Sequence, residues 1–299
     1  MAWDSPITSP AQLEAAVLEL GFLPFFKNSI PGFSIAERTP PEYWFVKDRE
    51  GPWEWKGPVI SGGKCAYGKF FHGKAVYVAL DWLPDLVNYR RDGYDFDARC
   101  DEGLCSWHEK RVYETLAAAG SMRSRDLKED CGYGSDGMRG FDQVVTRLQM
   151  LTYLCIADFE YELDRHGKPY GWGVARYTTP EALYGRRIVR SAYRRAPEES
   201  MARIVAHLAG VLPADEKKIA RMVKFLSDAR CGHRALRWTR AQWTRPGQSP
   251  AQRQPPQRSH PYRGNPFPMR REVLSRHRKN RCAPGNGAQR FAFYNQSFV

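Results

Sequence analysis

The feature that most constrains the fold of this 299-residue chain is the order of helix and strand signals over residues 106–178. Ser106 and Glu109 have capping-box spacing, in which each side chain binds a backbone N–H that the start of a helix leaves free. Apolar residues then recur at helical spacing as far as Gly120, a residue type that often ends helices. This pattern predicts a first helix directly after Ser106.

Two more helices and a hairpin follow along the chain. Ser124 can cap a short helix over residues 125–131, and a glycine-rich connector leads to a third helix near residues 141–153. Strand patterns over Cys155–Leu163 and residues 170–177 are separated by a polar turn. Three helices followed by a hairpin is the element order of a winged helix-turn-helix, which usually places one helix in a DNA groove.

The remaining segments predict an α+β chain. A leading helix capped by Ser9 ends at Gly21, and extended pieces are expected at residues 43–46, 66–71 and 75–80 among irregular loops. A short helix is expected at Pro180–Tyr184, with two more near residues 198–209 and 215–226. The predicted units are a β-containing N-terminal unit (1–105), the winged helix-turn-helix (106–185), C-terminal helices (186–229) and a basic tail (230–299).

The formal charge of +13 is unevenly distributed. Residues 230–299 contain 15 Lys and Arg and one acid, Glu272, so this tail carries +14 and residues 1–229 carry −1. Arg, Pro and Gln dominate much of the tail, which predicts disorder. It is either a nucleic-acid-binding arm or an out-of-frame read of GC-rich DNA. In both cases its charge says nothing about whether the preceding residues bind DNA.

Cysteine usage and hydropathy predict a cytoplasmic protein that does not enter a membrane. No apolar run reaches the roughly 18 residues of a membrane span, and no secretory signal is visible. The seven cysteines lack paired spacing, which favours reduced thiols. Cys100, Cys105, His108 and Cys131 offer a C-x4-C spacing without a second pair, so structural thiols are favoured over zinc. We expect no metal and no cofactor.

The winged-helix interpretation predicts double-stranded DNA as the partner. Gln and Arg can bind base edges, and Thr can contact phosphate or a thymine methyl group. The predicted DNA contacts lie on the third helix, beside the second helix or at the hairpin turn: Arg123, Arg125, Lys128, Arg139, Gln143, Thr146, Arg147, Arg165, His166 and Lys168. Winged helices also serve protein–protein contacts, and Asp142 on the same face would repel phosphate.

Carboxylates and tryptophans nearer the N-terminus are the candidates for catalysis. Glu54 lies between Trp53 and Trp55, where apolar surroundings would raise its pKa toward neutrality and suit acid–base chemistry. The two tryptophans would share one face of an extended segment and could stack an extruded base; they could equally be core. Asp92, Asp95 and Asp97 belong to a carboxylate-rich stretch that is either a catalytic loop or a solvated one with internal ion pairs.

Several strings resemble the AlkZ-related winged-helix proteins. They begin at Pro31-Gly-Phe-Ser-Ile, Pro41-Glu-Tyr-Trp-Phe and Pro52-Trp-Glu-Trp-Lys-Gly-Pro, and they continue with Tyr67-Gly-Lys-Phe-Phe, Asn88-Tyr-Arg-Arg-Asp-Gly-Tyr-Asp-Phe-Asp, Thr146-Arg-Leu-Gln and Gly171-Trp-Gly-Val-Ala-Arg. The resemblance covers roughly residues 1–226. More distantly, the chain is similar to AlkZ-type DNA glycosylases, which hold DNA with winged helices and excise alkylated bases.

The resemblance implies DNA binding more directly than catalysis. AlkZ-type glycosylases use a Gln-x-Gln or related pair in the N-terminal part, whereas the only glutamine here before Gln143 is Gln12. We therefore expect a DNA-binding protein related to alkylpurine glycosylases, with a role in the response to DNA damage. An active glycosylase and a regulatory module without a nucleic-acid partner are the alternatives.

Overall fold

The protein is described by a computed structural model that covers residues 5–45, 49–134, 137–167 and 169–224. The strands in this part of the chain are β1 (Phe22–Pro24), β2 (Cys65–Phe71), β3 (Lys74–Ala79), β4 (Ser121–Arg123), β5 (Cys155–Leu163) and β6 (Pro169–Thr178). They form one six-stranded antiparallel sheet in the order β1-β3-β2-β5-β6-β4. The fold is therefore mixed α/β.

Several helices pack against this sheet within the described ranges, and a 3-10 turn lies at Pro41–Tyr43. Those before β4 are α1 (Pro10–Leu20), α2 (Ile35–Arg38), α3 (Pro52–Ser61), α4 (Leu83–Arg91), α5 (Phe96–Asp101) and α6 (Trp107–Ala119). Those after β4 are α7 (Ser124–Asp130), α8 (Phe141–Met150), α9 (Pro180–Tyr184), α10 (Arg186–Val189), α11 (Pro197–Val211) and α12 (Glu216–Val223).

The leading helix is confirmed as α1. The Ser9 hydroxyl accepts a hydrogen bond from the backbone N–H of Gln12, and Pro10 occupies the first turn. The helix ends at Gly21, whose φ of +73° favours glycine. A Cβ at Gly21 would also lie 2.6 Å from Trp82 Cδ1, so a larger residue would displace that ring.

The segment around Trp53 is a helix and not the extended segment that a shared face of Trp53 and Trp55 would require. Pro52 starts α3, and the Glu54 Oε2 atom accepts a 2.9 Å hydrogen bond from the Gly51 N–H. The helix then buries Trp55, Val59 and Ile60 at helical spacing. Side chains two positions apart in a helix point in well-separated directions, so Trp53 and Trp55 do not share a face.

Other parts of the N-terminal region also contain more helix than expected. No strand forms at the described residues of the extended piece expected at 43–46: Tyr43 ends a 3-10 turn that begins at Pro41, and a bend follows at Trp44 and Phe45. Val46 lies outside the described residues. The carboxylate-rich stretch is mostly helical, because α4 and α5 occupy most of it. Its acids Asp92 and Asp97 are exposed, whereas Arg90 and Arg91 are buried. The strands expected at residues 66–71 and 75–80 are confirmed as β2 and β3.

The expected three helices and hairpin are present in order over residues 106–178. The predicted capping box is formed: the Ser106 hydroxyl accepts from the Glu109 N–H, and Glu109 Oε2 accepts from the Ser106 N–H at 2.7 Å. The short strand β4 was not predicted; it pairs with β6 through Met122 and Tyr177. On its other edge the β5–β6 hairpin joins β2, where Tyr67 pairs with Ile156.

The three predicted helices after the hairpin are confirmed as α9, α11 and α12. The buried Asp85 of α4 fixes α11, because its carboxylate accepts hydrogen bonds from the Ser200 hydroxyl at 2.8 Å and from Arg195 at 3.0 Å. The basic tail predicted after residue 229 lies outside the described residues. No helix in the described part is long and apolar enough to cross a membrane.

Candidate nucleic-acid interface and a buried lysine

Helix α8 packs its apolar side inward and leaves its first turn exposed. Phe141, Val145 and Leu148 are buried because they repeat at helical spacing on the side that faces α6. Gln143 in the first turn is exposed, as is Arg139 just before the helix. The side chains that reach outward from this helix are therefore concentrated at its N-terminal end.

The β2–β3 hairpin lies beside the second half of α8. A Cβ at Gly73, in the hairpin turn, would lie 3.2 Å from the Thr146 Cγ2 atom. The Lys69 ammonium donates a long 3.5 Å hydrogen bond to the Thr146 hydroxyl, and Lys74 is exposed beyond the turn. The hairpin thus covers part of the predicted DNA-contacting face and adds two lysines to it.

The sequence does not reveal that these two lysines lie beside α8. Burial lowers the pKa of Lys69, with the Asp142 carboxylate opposing the shift and Lys74 adding to it. Asp142 therefore lies close enough to Lys69 for their charges to interact, and the positive charge of Lys69 offsets the repulsion that Asp142 would exert on a phosphate. No periodicity reveals this neighbourhood, because it depends on how the hairpin packs against a helix far along the chain.

Three predicted DNA contacts are engaged in ion pairs. The pairs are Arg123 with Asp126 at 2.8 Å, Arg125 with Glu162 at 3.5 Å, and Arg147 with Glu109 at 2.9 Å. Hydrogen bonding to Arg123 lowers the pKa of Asp126. The Arg147 pair links α8 to the capping residue of α6, so this arginine has a structural role whether or not DNA is bound.

The remaining predicted contacts lie at the outer end of the hairpin and on α7. Arg165 and His166 are exposed; the Arg165 Nε–H donates to His166 Nε2 at 3.0 Å, and the His166 N–H donates to Asp164 Oδ1 at 2.7 Å. Lys128 is exposed on α7. Lys168 lies outside the described residues.

The three candidate catalytic aspartates occupy different local environments. Asp95 caps α5 by accepting from the Ala98 N–H at 3.1 Å, and it pairs with Arg190 at 3.2 Å. Asp92 ends α4 in a left-handed conformation, and burial raises its pKa, with Glu198 adding to the shift. Asp97 is exposed in α5.

The structure does not bring Glu54 together with these aspartates. Among the described residues, no hydrogen bond or ion pair joins it to any of them. Glu54 is exposed in the first turn of α3, and Trp55 is buried against the ring of Tyr43. Of the two tryptophans considered for base stacking, only Trp53 is partly accessible.

A buried lysine, which the sequence reasoning also missed, lies one helical turn from Trp53. Lys56 is 5% exposed, and its Nζ lies 4.3 Å from the centre of the Trp53 ring and 4.0 Å from that of Phe159 on β5. Burial lowers its pKa from 10.5 to about 8, against the opposing charge of Glu54. Within the described residues the ammonium forms no hydrogen bond or ion pair.

An exposed aromatic surface adjoins this lysine. Phe45 is 71% exposed and Phe26 is 39% exposed, and their ring centres lie 6.3 Å and 6.2 Å from that of Trp53. Phe45 has a φ of +57°, a backbone conformation that bulky residues rarely adopt. This conformation presents the aromatic ring of Phe45 to solvent.

The cysteine prediction requires one correction. Cys100 and Cys105 form a disulfide, because α5 and the reversal after it bring their Cα atoms within 4.9 Å. They are therefore not reduced thiols, whereas Cys65, Cys131 and Cys155 are free and buried. The described residues contain no group of three or more His, Cys, Asp or Glu side chains placed to hold a metal ion.

Comparison with known proteins shows the family of this chain. The model of the AlkZ-related family matches residues 7–224, and the protein belongs to this family. The match covers the described part of the chain almost completely. No curated protein and no solved structure matches the chain.

Proposed function

We propose that this protein binds double-stranded DNA and that residues 106–178 act as a winged helix-turn-helix. The observation that carries the proposal is the arrangement around α8. Helices α6, α7 and α8 follow one another along the chain, and the β5–β6 hairpin comes directly after α8. The short strand β4, which lies between α6 and α7, pairs with β6 of this hairpin. In winged helix-turn-helix proteins this order puts the third helix in the major groove and the hairpin beside it.

The first turn of α8 supplies the base contacts in this proposal. Gln143 is exposed and can bind adenine through two hydrogen bonds, while Arg139 lies close enough in sequence to reach the same groove or a phosphate. Lys74 and Lys128 are exposed on neighbouring elements and supply positive charge for phosphates. Arg123, Arg125 and Arg147 contribute less, because each already neutralises a carboxylate.

Family membership supports a DNA-damage setting for this binding. The AlkZ-related family is connected with DNA-glycosylase-like proteins, so the DNA that we propose as partner is damaged duplex. We also propose a cytoplasmic location and unit boundaries at residues 105, 185 and 229.

The surface is tested by charge reversal at Arg139. We expect Arg139→Glu to weaken duplex binding by roughly tenfold and to lower the salt dependence of binding by about one phosphate contact. The matched control is Lys217→Glu, which makes the same charge change at an exposed position of α12. Fluorescence anisotropy over a salt series measures both variants.

The assay uses the full chain and a shortened chain that ends at Ala229, because the +14 tail would bind any polyanion. Equal losses for the two variants would show that only net charge matters and would contradict the assigned surface. If the shortened chain binds no duplex even at low salt, the protein is instead a module without a nucleic-acid partner.

Removal of an alkylated base is the second candidate function, favoured by the family and by the exposure of Glu54 beside Trp53. We expect Glu54→Gln to reduce base release from alkylated duplex, because the amide cannot accept a proton from water. The control is Glu50→Gln, an exposed carboxylate just before α3. Base release that is unchanged in Glu54→Gln would remove Glu54 from the mechanism.

A further inference from the structure

We propose that Lys56 is a nucleophilic amine that condenses with aldehydes, and that its substrate is the open-chain sugar aldehyde of an abasic site in DNA. The choice of substrate rests on the proposed DNA binding. The reactivity of the amine rests on its own surroundings and is tested separately.

The geometry around Lys56 differs from that of an ordinary surface lysine. Its ammonium lies between two aromatic rings, one from α3 and one from β5, without a carboxylate or carbonyl partner among the described residues. A buried lysine usually gains an ion pair or extends its end to bulk water. Here the end of the side chain lies against the faces of the two rings.

This environment favours the neutral amine. Burial is the dominant cause of the lowered pKa of about 8, and Glu54 opposes it. At neutral pH the neutral fraction is then roughly a few hundredfold larger than for a lysine with its ordinary pKa. Desolvation of this kind is how proteins activate lysines that form Schiff bases with carbonyl compounds.

The surroundings also fit a nucleic-acid aldehyde. Phe45, Phe26 and Trp53 form an exposed aromatic surface next to Lys56, on which the bases that flank a lesion can stack. A sugar without its base exposes C1′ as an aldehyde in its open form. An intact nucleotide in duplex DNA has no such aldehyde, because its C1′ atom carries the base.

The reaction is a condensation that needs no oxidant or reductant. The neutral Lys56 amine attacks C1′, a C–N bond forms, and the carbonyl oxygen takes up a proton to become a hydroxyl group. The carbinolamine then loses this oxygen as one molecule of water, leaving a protonated C=N bond. Glu54 lies near enough to affect the charge of Lys56 and is the carboxylate on α3 available to exchange these protons.

The first experiment traps the adduct on the full chain. A duplex with one abasic site is incubated with the protein and sodium borohydride, which reduces the imine to a stable amine. We expect a covalent protein–DNA species whose yield falls by roughly tenfold in Lys56→Arg, since a guanidinium cannot form this adduct. The matched control, Lys64→Arg, changes an exposed lysine that pairs with Glu14 and should trap like the wild type.

Lys56→Met is a second variant for the same assay. It replaces the ammonium with an apolar group that suits burial, so a protein that fails to tolerate Arg between the two rings can still be tested. Trapping by both Lys56 variants at the wild-type yield would overturn the proposal.

The second experiment measures amine reactivity without DNA. The native full chain is treated with formaldehyde and cyanoborohydride near neutral pH, and methylated lysines are mapped by mass spectrometry. We expect Lys56 to be modified at least as fast as the exposed Lys64 and Lys110 despite its burial. An unmodified Lys56 in a folded protein would overturn its assignment as a nucleophile.

The two experiments separate the possible failures. If the protein binds no duplex but Lys56 is methylated rapidly, the proposed function is contradicted and the reactive amine is established. Rapid methylation with duplex binding but no trapped DNA would contradict the abasic substrate and direct the search to small free aldehydes.

Discussion

Two glutamines of α8 have opposite environments. Gln149 is completely buried; its Oε1 atom accepts from the Lys69 N–H at 3.0 Å and its Nε2 donates to the Val145 carbonyl at 3.3 Å. Gln143, six residues earlier in the same helix, is exposed. One glutamine therefore fastens β2 to the helix, and the other is free to contact a ligand.

Replacing each glutamine with leucine separates the two roles. We expect Gln149→Leu to reduce the free energy of unfolding by about 1–3 kcal/mol, because the buried Lys69 N–H loses its acceptor. Gln143→Leu should change stability by less than about 0.5 kcal/mol and should weaken duplex binding instead. Urea denaturation and anisotropy measure the two effects.

The assignment of Gln149 would be wrong if its replacement left stability unchanged. The DNA surface would be contradicted by Gln143→Leu binding duplex like the wild type.

Helix α3 shows how one misread element changes a candidate site. Alternation of Trp53, Glu54 and Trp55 reads as a strand, whereas Pro52 and the Glu54 cap start a helix. The helical turn places Lys56, not Trp55, beside Trp53. The sequence contains a signal for this helix start, because Pro at the first helical position and Glu two residues later are typical of the first turn of a helix.

Helix α8 shows a different limit. Its position, length and buried side follow from apolar periodicity and were predicted to within three residues at its end. Its outward face was predicted to contact DNA through Gln143, Thr146 and Arg147, yet the β2–β3 hairpin lies against Thr146. Periodicity identifies which side of a helix is polar, but it carries no information on which distant element covers that side.

At the scale of the whole molecule, a buried ion pair connects elements far apart in sequence. Arg91 of α4 donates to Glu181 of α9 at 2.5 Å and to the Thr152 carbonyl after α8 at 2.6 Å. Glu181 also pairs with Arg190 at 3.4 Å. Burial favours a raised pKa for Glu181, but the hydrogen bond and charge of Arg91 outweigh it, so the pKa is lowered.

We expect Glu181→Gln to reduce the free energy of unfolding by about 3 kcal/mol at neutral pH, because it leaves the Arg91 charge buried without its counter-charge. Since the folded pKa of Glu181 is lowered, its stabilisation is present above the ordinary value of 4.5 and is lost as the pH falls through the folded value. The difference between wild type and variant should therefore shrink in acid.

The control is Glu162→Gln, which breaks the exposed pair with Arg125 and should cost under about 0.5 kcal/mol. Denaturation curves at neutral and acidic pH measure both variants. Equal costs for the two, or a Glu181→Gln cost that persists unchanged in acid, would contradict the account of the buried pair.

The sequence by itself determined the family and many of the local elements. Capping residues, glycines and apolar spacing predicted α1, α6, α8, the two strands β2 and β3, and the β5–β6 hairpin, because these signals act within a few residues. Only the tertiary structure decided that β5 pairs with β2, that Arg91 and Glu181 meet, and that Lys56 lies between Trp53 and Phe159. Those contacts join residues far apart along the chain, and the burial, hydrogen bonds and charges that the fold creates around them set the protonation of their side chains.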